Sequence, residues 1–191
     1  MSNKLIKEEV ERITSLMGIS EQGIINKIKS FLFGDKTESS NEIISPLCNT
    51  SNPWTVTSKF GMRTMGGVSK NHPAIDLRAD YVPVVAPFDG VVDKTTGFDR
   101  GSCGGMILLT NKELGLSAKF CHMSQIETSL IGKEVKRGTK LGISGGSIKK
   151  DGESKSKRGN SKDAHLHFEL KKDGQFVDPN TMVKKGFCPT K

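Results

Sequence analysis

The chain has 191 residues, room for one good-sized domain with a small appendage, and at 34% hydrophobic and 26% charged it is too apolar to be disordered throughout. A formal net charge of +8 points to an anionic partner, whether cell wall, nucleic acid or acidic membrane, or else to a lysine-rich solvated surface. One Trp and one Tyr leave few stacking platforms for nucleic acid, and no apolar run nears the roughly 18–20 residues that span a bilayer.

From the start of the chain, Met1–Lys7 leads into a charged segment rather than the apolar core of a signal peptide, so no export signal is expected. Ile6, Val10, Ile13 and Met17 recur at helical spacing, with Glu8, Glu9 and Glu11 in the early turns and Gly18 as a stop. Ser20 is placed to cap a second helix whose apolar face is Ile24, Ile28, Phe31 and Leu32, ending at Gly34. Residues 1–34 are therefore predicted as a short amphipathic helical hairpin, and the polar run Gly34–Asn41 opens a linker over 35–44. The hairpin either packs on the domain or anchors it to a wall, membrane or particle.

Over residues 45–191 the pattern changes to short runs rich in Val, Ile and Thr, punctuated by Gly, Pro and Asp-Gly. Strands are predicted at Trp54–Phe60, Pro83–Pro87, Gly90–Thr95, Met106–Asn111, Leu116–Met123, Lys140–Ser144 and Ala164–Lys171, with turns at Asp89-Gly90 and Asp173-Gly174. Short connections imply an antiparallel sheet. Gly145–Asp163 breaks the pattern: nearly devoid of apolar residues and rich in lysine, it is expected to be a mobile surface loop, either a solvated insertion or a basic flap.

The chain has four histidines, His72, His122, His165 and His167, all within this β region. In a strand, His165 and His167 share one face while Leu166 takes the other. His72 and Asp76 add an imidazole and a carboxylate four residues apart, with Pro73 restricting the turn between them. Catalytic zinc takes three protein ligands of this kind and leaves a fourth position open, and His72, Asp76 and His167 would supply that set. Cys48, Cys103, Cys121 and Cys188 lack Cys-x-x-Cys spacing. Cys103 and Cys121 flank a predicted hairpin and lie nearly opposite, but free thiols are expected of a protein acting from a reducing cytosol. Glu169 and Asp178 are read as surface or turn carboxylates rather than partners of a ligand, and Asn71 as an ordinary loop residue.

From about Ser45 to Pro179 the sequence resembles the lysostaphin-type (LytM-like) zinc metallopeptidases that cleave peptidoglycan cross-links. The blocks that carry the likeness are Val56–Arg63 (VTSKFGMR), His72–Leu77, Pro83–Val92, Phe120–Ser124, Gly132–Gly138 with Leu141-Gly142, His165–Leu170 and Val177–Pro179. The resemblance implies a mainly β fold, an antiparallel catalytic domain with a groove, and one zinc ion on His72, Asp76 and His167. It makes His122 and His165 the two catalytic histidines that are not ligands. Ala74 stands where the family commonly has Gly, and the basic Gly145–Asp163 segment replaces a short turn. The activity implied is that of a zinc endopeptidase hydrolysing the peptide cross-links of bacterial peptidoglycan, either as a monomeric bacteriolytic, antimicrobial endolysin of a phage or in wall remodelling. The alternative is a non-catalytic wall binder or activator of the same fold. A phage enzyme would be held in the host cytoplasm until release to the wall or periplasm, or carried on the virion.

Overall fold

The computed structural model describes residues 42–65, 67–151 and 154–185. The predicted helical hairpin, most of the linker and Cys188 lie outside the described residues. The described part is mainly β, with nearly all strand pairs antiparallel. The strands are β1 (Ile43–Ile44), β2 (Val56–Ser58), β3 (Gly61–Met65), β4 (Val68–His72), β5 (Ile75–Leu77), β6 (Pro83–Val85), β7 (Gly90–Val92) and β8 (Met106–Asn111). They continue with β9 (Leu116–Cys121), β10 (Met123–Ile126), β11 (Glu134–Val135), β12 (Lys140–Ser144), β13 (Leu166–Lys172), β14 (Gln175–Val177) and β15 (Val183–Lys184). Among the described residues three single-turn α-helices, α1 (Ile148–Asp151), α2 (Lys155–Arg158) and α3 (Pro179–Met182), and a 3-10 turn at Thr128–Leu130 complete the set.

The main sheet runs β11-β7-β8-β9-β13-β5-β2, with β14 also on β13; β10-β12-β6 form a second sheet, and β3-β4 a separate hairpin. Alternation explains the core. Leu116, Ala118 and Phe120 of β9 and Leu166, Phe168 and Leu170 of β13 point to one side and are buried. They join Ile75, Leu77, Ile107 and Leu109, and on the second sheet Val84, Met123 and Leu141, in one cluster. Phe120 and Phe168 stack at 5.4 Å between centroids. The opposite face of β13 is left to His165, His167, Glu169 and Lys171.

Besides shifted strand ends and the break of the predicted Leu116–Met123 strand at His122, four features of the fold depart from the sequence reading. Ile43 and Ile44, assigned to the linker, are buried and pair in parallel with Val183 and Lys184, because apolar side chains at that point complete the core. The β3–β4 hairpin escaped prediction because Val68–Asn71 is exposed throughout and carries no inside–outside alternation. Cys103 and Cys121 form a disulfide instead of remaining thiols: the loop before β8 folds back onto the end of β9 and brings their Cα atoms to 4.8 Å.

The fourth concerns Gly145–Asp163, expected as a mobile loop. It holds α1 and α2 and is docked by its backbone, with Asp99 N–H donating to Ser156 O, Gly105 N–H to Lys157 O and Asn160 N–H to Ser102 O at 2.6–3.0 Å. Gly104 and Gly159, both at positive φ, meet where the two loops touch; a Cβ on either would run into the facing carbonyl, of Lys157 or of Ser102.

A candidate metal centre

His72 ends β4, Asp76 is the middle residue of β5, and His167 lies directly beside Asp76 in the β13–β5 ladder. Their donor atoms converge. His167 Nδ1 is 2.9 Å from Asp76 Oδ1, His72 Nε2 is 3.4 Å from the same oxygen, and the two ring nitrogens are 3.3 Å apart. Tetrahedral zinc with bonds of about 2.0–2.1 Å sets its ligand atoms about 3.3–3.4 Å from one another. The triangle already present is close to that size, so these three residues fit such an ion.

Each donor is held by a partner behind it. His72 Nδ1–H donates to the carbonyl of Lys59 at 2.9 Å, leaving the Nε2 lone pair for the centre. His167 Nε2–H donates to Glu169 Oε1 at 3.2 Å, which frees Nδ1, and Lys119 Nζ holds the same carboxylate at 2.7 Å. Arg63 Nη1 lies 3.3 Å from Asp76 Oδ2, the oxygen turned away from the triangle, and also donates to Ser58 Oγ.

Electrostatics follow from these contacts. Burial alone would raise the Asp76 carboxyl, but the facing nitrogens of His167 and His72, which donate to it whenever those rings are protonated, and the nearby His165 hold it well below the usual carboxylate range. Burial opposes charge on His167, yet Asp76 and then Glu169 outweigh it and the ring's pKa is raised. Glu169 is lowered for the reciprocal reason: hydrogen bonds from His167 and Lys119 overcome its burial.

His122 and His165 flank the triangle. Their rings are 4.8 Å apart, His122 is 5.9 Å from the His167 ring, and His165 Nε2 is 3.8 Å from Asp76 Oδ1. His122 Nδ1–H donates to Arg158 O at 2.8 Å and His165 Nδ1–H to Asp163 O at 2.9 Å, so each neutral ring carries its lone pair on Nε2. Both anchoring carbonyls belong to the basic Gly145–Asp163 segment. Burial, then the neighbouring His165 and His167, push the pKa of His122 down to about 4.

His122 owes its place to its backbone. Strict alternation after Ala118 and Phe120 would turn it into the core, but its φ of 64° makes a corner between β9 and β10, where the chain passes from the main sheet to the second. Cys103 O accepts from His122 N–H at 2.9 Å across the disulfide.

All five residues singled out from the sequence thus lie together. Glu169, read there as a surface carboxylate, is instead buried against His167; the alternation that pairs His165 with His167 also puts residue 169 on their face and was the signal for it. Asp178 caps α3 by accepting from Asn180 N–H. Asn71 is an exposed strand residue of β4, not a loop residue. Arg63 appeared in the sequence only as part of a family block, and nothing in spacing links it to Asp76.

The chain is 28% identical over 123 residues to an uncharacterized metalloprotease of Haemophilus influenzae, a match covering 63% of this chain and 22% of that relative. It thus spans under a quarter of that relative's length. Among solved structures, it is similar to the catalytic domain of the antimicrobial peptidase lysostaphin from Staphylococcus simulans, at 22% identity over 73% of this chain and 97% of that one, with a TM-score of 0.56. It is similar also to a zinc-containing peptidase from Vibrio cholerae, at 21% identity over 72% of this chain and 38% of that one, with a TM-score of 0.55. At those identities the likeness is one of fold. Residues 70–179, more than half of the chain and the stretch that contains all five convergent side chains, match the model of peptidase family M23, and the chain belongs to that family.

Proposed function

We propose that this protein is a zinc endopeptidase that hydrolyses the peptide cross-links of bacterial peptidoglycan. The observation that carries the reading is the ligand-sized triangle of His72 Nε2, Asp76 Oδ1 and His167 Nδ1 with two further imidazoles beside it. His72, Asp76 and His167 would hold the ion. When bound, zinc would polarise the scissile carbonyl and acidify the attacking water.

The rest falls to the chain's own residues. His122 and His165 present Nε2 lone pairs toward the centre; one takes the proton of the attacking water, and the ring so charged donates to the carbonyl oxygen as it becomes negative, or to the departing amine. Burial keeps His122 neutral and ready to accept. Glu169 and Lys59 hold the ligating rings in the right tautomer, and Arg63 steadies Asp76. The site of action is the cell wall, and the Cys103–Cys121 bridge suits an oxidising compartment.

The test is clearing of purified peptidoglycan by the wild type and by His167→Ala, with mass spectrometry of products and of bound metal. New amine and carboxyl ends from cross-link peptides, lost together with zinc in the variant, are the expected result. A zinc-loaded wild type that clears no wall would instead make the protein a non-catalytic wall binder.

A further inference from the structure

The face of the sheet that carries the histidines continues beyond them. Along β13 alternation brings His165, His167, Glu169 and Lys171 to one side. The register sets Lys119 beside Glu169, Ser117 beside Lys171, Leu108 beside Lys119, and on the other flank Phe176 beside Lys171. Leu108, Ser117, Lys119, Glu169, Lys171 and Phe176 line an open depression of about 230 Å³. Glu169 is common to it and to the metal centre, so the depression begins where the centre ends.

Its charges are unequally engaged. Glu169 is shared between His167 and Lys119, and neighbouring Lys172 is occupied by Leu114 O and Asp173. Lys171 forms no ion pair among the described residues; its Nζ stands 4.3 Å over the Phe176 ring, which is 44% exposed and so left open to a ligand. At about 3.3 Å per residue, Lys171 lies about 13 Å along the strand from His167, the reach of about four residues of an extended peptide.

We propose that this depression is a subsite of the peptidase, in which Lys171 receives a free carboxylate of the substrate peptide and Phe176 and Leu108 support the adjoining aliphatic part. The inference rests on the endopeptidase reading for the identity of its ligand. Lys171 is then a specificity-determining residue, selecting acidic over amidated peptides.

The test uses the full chain treated with a chelator, so that no bond is cut, and titrates it with a synthetic stem tetrapeptide whose carboxylates are free and with the same peptide amidated. The wild type is expected to prefer the free acid about fivefold, the upper end for an ion pair at a half-exposed site. Lys171→Ala should lose that preference with little change toward the amide, and Lys171→Arg should keep it. An unchanged preference in Lys171→Ala, or equal weakening for acid and amide, overturns the proposal, the latter leaving Lys171 a packing role over Phe176. Wall clearing is read separately with the metal-loaded wild type. Acid selection through Lys171 without clearing would remove the endopeptidase reading and leave the carboxylate subsite standing.

Discussion

The Nδ1 of His167, 2.9 Å from Asp76 Oδ1, can carry a proton shared with that carboxylate or give its lone pair to a metal ion, and the two compete. With Asp76 on one ring nitrogen and Glu169 on the other, His167 favours the charged form, so metal uptake displaces a proton and metal affinity should fall as pH drops. Competition with a chromophoric chelator between pH 8 and pH 5 measures this, and a flat profile would count against it. Glu169→Gln should weaken the metal about 10- to 100-fold while leaving the three ligands in place; the same titration reads it. His122 gives a separate dependence. Its pKa is about 4 in the fold against 6.5 ordinarily, so between those values the unfolded chain binds a proton that the folded chain does not. Stability of the chelator-treated protein is therefore full above the ordinary value and declines as pH falls toward the folded one. Denaturant melts of wild type and His122→Gln across that window should show the variant losing less stability with acid. His72, Asp76 and His167 were legible because imidazoles are scarce in this chain and His165 and His167 alternate onto one strand face; the roles of His122 and His165 came with the family resemblance, since strict alternation would have turned His122 into the core. The supports were less so: Arg63 reaches Asp76 only through the fold.

At the scale of elements, the placement of His122 depends on three things acting on one corner: its own left-handed backbone, the Cys103–Cys121 bridge, and the docked segment that offers Arg158 O. The bridge closes a loop of 18 residues, and replacing both cysteines by serine should cost about 3 kcal/mol, measured by denaturant melts. The Gly104–Gly159 contact is a sharper probe. Gly159→Ala meets both a positive φ and the carbonyl of Ser102, should cost about 1–3 kcal/mol, and should lower hydrolysis with metal content retained, because it moves the segment that holds His122. Full activity in that variant would show the docking to be dispensable. Hydropathy could not reveal this arrangement. The segment attaches through amides, carbonyls and glycines, which carry no apolar signature, whereas Met106–Asn111 and Lys140–Ser144 were read with their observed bounds from their alternating or apolar runs.

For the molecule as a whole, the net charge of +8 is a long-range property that no single ion pair determines. If it steers the protein toward an anionic wall, hydrolysis of wall suspensions should fall as salt rises from about 0.05 to 0.3 M while cleavage of a small uncharged peptide stays nearly constant; parallel salt titrations of the two substrates decide it. Charge sign and fold class were legible from composition and period, but the pairing of distant segments was not, since it depends on which short apolar runs find each other. One such pairing reaches beyond the site. Because β1 and β15 lie side by side, Ile43 beside Val183 and Ile44 beside Lys184, the first and last strands of this folded unit are about 5 Å apart, one strand spacing. The pairing is parallel, so the chain enters at one end of this two-residue ladder and leaves at the other; a short bridge running back from residue 184 to residue 43 would permit circular permutation with new ends in an exposed turn.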